Sequence, residues 1–228
     1  MERVALIIAP HPDDAEIAMG GTIAALTAQG ARVKILDLTD GEPTPFGSTE
    51  IRAQETVEAS RILGVSWRRN LGLKNREIFD SVENRSMLAN IIRELKPALL
   101  FAPFWEDAHP DHVEASKLTD SARFYSKFVK SDLLHEPWFP RKQIYFFSTH
   151  LKVRFSPSFV FDVSAYLDTK LAALHAYRSQ FHAHNTGRIE EIGREARYWG
   201  DQIGASAGEP FILRESLKLD TLEALFSV

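Results

Sequence analysis

Val4-Ala5-Leu6-Ile7-Ile8-Ala9-Pro10-His11-Pro12-Asp13-Asp14-Ala15-Glu16 is the stretch that decides how this chain folds. Its six leading apolar residues read as a buried strand, and two prolines stiffen the loop behind it. Gly20-Gly21-Thr22 then open a helix running to Gln29, closed by Gly30. One imidazole and two adjacent carboxylates on such a loop make a poor core and a good grip for a metal ion. A second cluster, His109-Pro110-Asp111-His112, also follows an apolar run, at residues 99–104. Two strand ends could therefore build one site.

Beyond the first loop, residues 33–38 read as a second strand, and the glycines and prolines of 39–47 break regular structure. Ser48 or Thr49 can cap a helix whose apolar face includes Ile51, Ala53, Val57, Ala59, Ile62 and Leu63, stopped by Gly64. A helix over 81–95, a strand at 98–102 and a helix over 113–125 continue the alternation. Later come strands at 144–147 and 159–163 and helices over 166–181 and 188–199. Repeated strand–loop–helix units predict an α/β fold with a mostly parallel sheet and helices on both faces, in a single domain over residues 1–228.

With 228 residues, 44% of them hydrophobic, the chain can bury a large core. Its 27 basic and 31 acidic residues give a net charge of -4, and no Lys/Arg block tracks a phosphate backbone. Nucleic acid is not an expected partner. There is no cysteine, so a metal must be held by imidazole and carboxylate. The first apolar run is too short for a signal-peptide core and none reaches membrane-spanning length, which leads us to expect a cytoplasmic protein without a membrane partner.

A catalytic zinc takes three protein ligands and keeps one position for water. His11, Asp14 and His112 make such a set of two imidazoles and one carboxylate. Successive side chains diverge, which leaves Asp13 free to take a proton from water. His109 would remain as an imidazolium that stabilises an oxyanion or protonates a leaving amine, with Asp111 orienting or charging it. Taken singly, each of these residues has an ordinary role: solvated loop side chains, or helix caps at Asp13, Asp14 and Asp111. Gly20-Gly21-Thr22 lacks the spacing of a phosphate loop and is better explained by close approach of the helix start to the metal loop, although helix amides there could orient an anion.

At this level the sequence resembles the LmbE-like, or PIG-L, zinc-dependent de-N-acetylases. His11-Pro12-Asp13-Asp14 with Glu16-Ile17 looks like their first signature and His109-Pro110-Asp111-His112 like their second. Asp37 to Glu42, Ile51-Arg52 with Gln54-Glu55, Asn70 to Leu73, Tyr177 to Gln180 and Gly208 to Phe211 extend the likeness over most of the chain. It is most similar to the deacetylases of bacillithiol synthesis, which act on N-acetylglucosaminyl malate. The resemblance implies a Rossmann-like fold, zinc on His11, Asp14 and His112, Asp13 as general base, His109 assisting the oxyanion or leaving group, and Arg52 on sugar hydroxyls. It also implies an amino-sugar substrate and a homo-oligomer, a hexamer. Many relatives carry Arg before the second motif, where this chain has Ala108. Others carry a late Tyr, in whose approximate register stands Arg188, a charged donor toward substrate.

Two rivals stand beside this reading. Two His and one carboxylate also describe a non-haem Fe(II) oxygenase, and a sugar-binding protein could keep the metal as a structural clip. His182 and His184 could approach the site or a second metal, though a solvated loop suits them better. Glu42 and Asp107 stay outside the catalytic set as ordinary acidic loop residues. Phe104, Trp105 and Trp138 could form a sugar-stacking wall or pack in the interior.

Overall fold

The structure, a computed structural model, describes residues 3–151, 155–181 and 187–216. Strand β1 (Val4–Ala9) is buried along its whole length. Because side chains alternate across a strand, its two faces feed two cores. Ala5, Ile7 and Ala9 join Ala15, Met19, Ile23, Ala59 and Leu174, while Leu6 and Ile8 join Leu88, Ile92, Leu118 and Ala122. A strand buried on both sides sits in the middle of a sheet, and that is where the chain puts it.

After β1 come α1 (Asp14–Ala28), β2 (Arg32–Asp37), α2 (Thr49–Ile62), β3 (Trp67–Asn70), α3 (Val82–Leu95), β4 (Leu99–Pro103), α4 (Pro110–Tyr125) and β5 (Lys142–Phe146). The later elements are β6 (Phe159–Asp162), a 3-10 turn at Ser164–Tyr166, α5 (Leu167–Ala176), α6 (Arg178–Phe181), α7 (Arg188–Asp201) and β7 (Gly208–Ile212). The seven strands lie in the order β3-β2-β1-β4-β5-β7-β6. The first five are parallel, whereas β7 runs antiparallel to β5 and to β6. Helices α3 and α4 cover one face, and α1, α2, α5 and α7 contribute to the core on the other. The expected α/β sheet with helices on both faces is present.

The topology also fixes where a ligand goes. From β1 the chain winds outward through β2 to β3, then crosses back to lay β4 on the other side of β1. The connections leaving β1 and β4 therefore diverge and open a crevice beyond their carboxyl ends, the usual ligand position in open α/β sheets. Both His/Asp clusters leave from these two strand ends.

Some boundaries differ from expectation. Helix α1 starts at Asp14 rather than Gly20 and is interrupted at Met19, where φ is -143°. Glu209, on β7, enters the break: its carboxylate accepts the amides of Gly21 (3.0 Å) and Thr22 (2.7 Å) and the Thr22 hydroxyl (2.6 Å), and pairs with Lys170 at 2.6 Å. The helix amides do hold an anion, but it is the chain's own. The glycines face the segment around α5 rather than the metal loop, since a Cβ on Gly21 would meet Val163 Cβ at 2.7 Å and one on Gly20 would meet Lys170 Cγ at 3.0 Å. The helix expected over 166–181 is split at Tyr177, with ψ of 65°, whose hydroxyl donates to buried Glu16 at 2.9 Å. Strands β3 and β7 lie outside the sequence expectation: β3 is too short and too rich in arginine to carry an apolar pattern, and β7 contains Pro210. His182 and His184 lie outside the described residues.

Candidate metal centre and its cavity

Turning from β1 into α1 places three functional side chains on four consecutive residues. Asp13 sits at the N-cap position with φ of 108°, a left-handed conformation that costs a non-glycine residue on the order of 1–3 kcal/mol. Its carboxylate does not cap the helix. Instead Oδ2 accepts Arg52 Nη1 at 3.0 Å, and the same nitrogen donates to the Pro12 carbonyl at 3.0 Å. Arg52, from α2, is only 3% exposed and touches Glu42 at 3.6 Å on its other side. Expected on sugar hydroxyls, it lines the same cavity as the three ligand candidates and also holds Asp13.

Asp14 turns the other way. Its Oδ2 accepts the His11 amide at 3.0 Å and lies 3.2 Å from His11 Nδ1 and 3.4 Å from His112 Nε2. Ser148, just beyond β5, donates its hydroxyl to Asp14 Oδ1 at 2.5 Å. His112 comes from the first turn of α4 and is buried, and its Nε2 has no hydrogen-bond partner. A tetrahedral ion with metal–ligand bonds of 2.0–2.1 Å needs its donor atoms about 3.3 Å apart. The separations of 3.2 and 3.4 Å around Asp14 Oδ2 fit that requirement, and an orphaned imidazole nitrogen aimed at them fits it as well. His11, Asp14 and His112 could thus hold one divalent cation.

His109 stands at the N-cap of α4, and its Nδ1 accepts the amide of Asp111 at 3.2 Å. Nδ1 is therefore unprotonated and Nε2 carries the hydrogen. Burial, followed by the neighbouring His112 and His11, pushes this ring down to about 4. The imidazolium expected from the sequence is a neutral ring here, a hydrogen-bond donor rather than a charge. Its centroid lies 4.9 Å from that of His11 and 4.8 Å from that of His112. Asp111 does not face it: the carboxylate lies on His11 Nε2, at 3.1 Å.

The charges explain the remaining shifts. Burial disfavours protonated His11 and His112, but the surrounding carboxylates outweigh it, raising His11 to about 9 through Asp111 and Asp14, and His112 to about 10 through Asp14 and Asp107. Burial likewise disfavours ionised Asp14, yet the two imidazoles hold it well below the usual carboxylate range. For Asp13 burial wins over the pull of Arg52, and its pKa is raised to about 7. A carboxylate whose proton affinity lies near neutrality is suited to proton transfer.

These groups floor a cavity of about 950 Å³. Arg188, in the first turn of α7, lines it and pairs with Glu191 at 3.1 Å. The aromatic wall is not the expected one. Trp105 packs against Tyr145 and under Arg214, Phe104 is buried, and Trp138 donates to the Pro97 carbonyl. Phe147, Phe155, Tyr198 and Trp199 line the cavity instead, with Phe147 and Phe155 stacked at 3.6 Å. Residues that sequence reasoning missed are Ser148, His150 and Asp107. No motif marks the first two, and the signal for Asp107 is its place two residues before His109.

The pattern of a family described as PIG-L, GlcNAc-PI de-N-acetylase, matches residues 6–123, which hold both clusters. The chain belongs to the PIG-L family. Diacetylchitobiose deacetylase of Thermococcus kodakarensis is 32% identical over 194 residues, 77% of this chain and 69% of that protein. The Bacillus anthracis protein called "Probable N-acetyl-alpha-D-glucosaminyl L-malate deacetylase 2" is 30% identical over 211 residues, 85% of this chain and 87% of its own length. Among solved structures, the conserved protein TT1542 from Thermus thermophilus superposes with a TM-score of 0.88 at 39% identity, covering 96% of this chain and 97% of the other. Both PIG-L relatives named for an activity are deacetylases, enzymes that hydrolyse an amide. Among the described residues, no helix is long and apolar enough to cross a membrane.

Proposed function

We propose that this PIG-L protein is a zinc-dependent hydrolase that removes the acetyl group from an N-acetylglucosamine-type sugar conjugate. The observation that carries the proposal is the convergence of His11 Nδ1, Asp14 Oδ2 and His112 Nε2 beside the carboxylate of Asp13. Zinc held by those three residues supplies Lewis acidity toward the acetamide carbonyl and toward water. Asp13, aimed by Arg52, accepts the proton of the attacking water and returns it to the departing nitrogen. His109 donates its Nε2–H to the carbonyl oxygen as that atom gains negative charge, without carrying a charge itself. Acetate and a free amine result. A strained, arginine-held carboxylate beside the ligand set suits hydrolysis, whereas an oxygenase or a structural metal clip has no use for it.

Arg188 reaches the sugar from the rim, and the aromatic wall of Phe147, Tyr198 and Trp199, with Phe155 stacked between Phe147 and Trp199, gives apolar contact to the group attached to it. A cavity near the upper end of the usual range, about 300–1,000 Å³, has room for more than one ring. N-Acetylglucosaminyl malate, the bacillithiol precursor, is the first compound to assay, and N,N'-diacetylchitobiose the second. We assign the working state to a cytoplasmic hexamer, an assembly that would cover exposed apolar side chains such as Phe124 and Val129. Sedimentation equilibrium tests the assembly. The activity is tested by acetate release from zinc-loaded protein across both conjugates and free N-acetylglucosamine, compared as kcat/KM. Turnover that requires iron and oxygen, or no acetate from any compound, would overturn the reading.

A further inference from the structure

Each imidazole of the ligand set rests its far nitrogen on a carboxylate that the ligand set does not use. His11 Nε2 lies 3.1 Å from Asp111 Oδ2, and His112 Nδ1 lies 2.7 Å from Asp107 Oδ2. A carboxylate can only accept, so each far nitrogen carries a hydrogen, and an ion bound on the Asp14 side would meet the lone pair of the near nitrogen. Had either ring the opposite tautomer, its hydrogen would point into the centre.

Both carboxylates have a second task. Asp111 accepts the amide of Arg76 at 2.7 Å through Oδ2 and that of Ile78 at 3.4 Å through Oδ1. These amides belong to the connection between β3 and α3, where Arg76 takes φ of 68° and its guanidinium reaches the Pro43 carbonyl. Asp107 accepts the amide of His150 at 2.7 Å and that of Ala108 at 2.6 Å through Oδ1, and its Oδ2 lies 3.3 Å from His150 Nδ1. His150 belongs to the connection that follows β5. Arg76 and His150 both line the cavity. Two separate pieces of its wall are thus moored to the two imidazoles, each through one carboxylate.

We infer that Asp107 and Asp111 are positioning residues that couple the ligand geometry of His112 and His11 to the shape of the substrate cavity. The coupling is reciprocal: whatever fixes an imidazole fixes the carboxylate behind it and the main chain that carboxylate holds, and displacing the wall loosens the imidazole. Left-handed Arg76 needs such a mooring, because nothing in its local sequence favours that conformation. The coupling rests on the zinc reading above, but its test involves no substrate.

Zinc affinity is measured by competition with a chromophoric chelator for the wild type, Asp107→Ala and Asp107→Asn, with circular dichroism to confirm folding. Hydrogen exchange of the amides at Arg76, Ile78 and His150 is followed with and without zinc. We expect Asp107→Ala to lose about 10- to 100-fold in zinc affinity. Asp107→Asn loses affinity too, because one amide oxygen cannot serve both His112 and the His150 main chain. In the wild type, zinc slows exchange at the three wall amides and leaves mid-α3 unchanged; in Asp107→Ala the effect at His150 disappears while that at Arg76 persists. Wild-type zinc affinity in Asp107→Ala, or exchange at the wall amides that ignores zinc in the wild type, overturns the inference alone. A wild type that binds no zinc overturns the functional reading together with it. The exchange comparison needs no variant, so it stands even where a substitution fails to fold.

Discussion

The loops after β1 and after β4 carry the same three residue types, Pro, His and Asp, yet they are built by different means. The first is held from afar: Arg52 on α2 grips Asp13 and Ser148 beyond β5 grips Asp14, while the backbone at Asp13 is strained. The second closes on itself. Pro110 takes the first helical position, His109 accepts the amide of Asp111, and the His112 amide returns to the His109 carbonyl at 3.1 Å. Both loops open a helix, but the first takes its support from α2 and the segment after β5, whereas the backbone of the second is pinned within the loop and its carboxylates, Asp107 and Asp111, reach out to hold other segments.

The largest effect is expected of His112→Ala, which removes the self-contained loop's one contribution to the ligand set. Metal analysis should find no bound zinc and acetate release should fall to background; retained zinc would mean the ligand set is wrong. Asp13→Ala should instead keep its zinc and lose about 10²- to 10⁴-fold in kcat. Wild-type turnover there would remove Asp13 from the mechanism. For His109→Phe we expect a kcat loss of about 10²- to 10³-fold with KM nearly unchanged, since the lost donor acts on charge that develops during reaction. A rise in KM at constant kcat would instead make His109 a binding residue.

Arg52→Gln tests the remote support. Arg52 favours the ionised form of Asp13 against burial, so its removal raises the Asp13 pKa further. The base form then needs a higher pH, and the acid limb of the kcat/KM profile should move upward; an unmoved limb would separate Arg52 from the base. The smallest effect is expected far from both loops. Ser81 accepts the Asn84 amide at 3.1 Å and caps α3, so Ser81→Ala should cost about 1 kcal/mol. Thermal unfolding should shift down by about 2–4 °C per kcal/mol for a chain of this size, with kcat/KM unchanged.

What is legible in the sequence follows the same division. The parallel core is legible because β1 is continuously apolar and β4 begins a second such run, and the ligand candidates are legible because they sit in two compact clusters. Partners contributed by distant segments are not. Sequence adjacency points Asp111 at its neighbour His109, but the fold delivers its carboxylate to His11, a hundred residues away. Arg52 reads only as a substrate group, and nothing local shows that Asp13 turns outward from its helix to meet it. Trp105 and Trp138 stand out by residue type alone, whereas wall-forming Phe147, Phe155 and Trp199 come from three separate stretches that only the sheet order brings together. Of the antiparallel edge, β6 is legible as the strand read at 159–163, whereas β7 escapes because it is short and Pro210 interrupts its pattern.

The Glu209 carboxylate at the break in α1 bears on how the chain is made. Ribosomes release the N-terminus first, and α1 emerges long before its anion partner, 188 residues downstream of Gly21. Until β7 arrives, the amides of Gly21 and Thr22 and the ammonium of Lys170 have no counter-charge from Glu209. The helix that carries Asp14 therefore reaches its final form only after β7 has been translated, so competence to load metal should come late in biosynthesis.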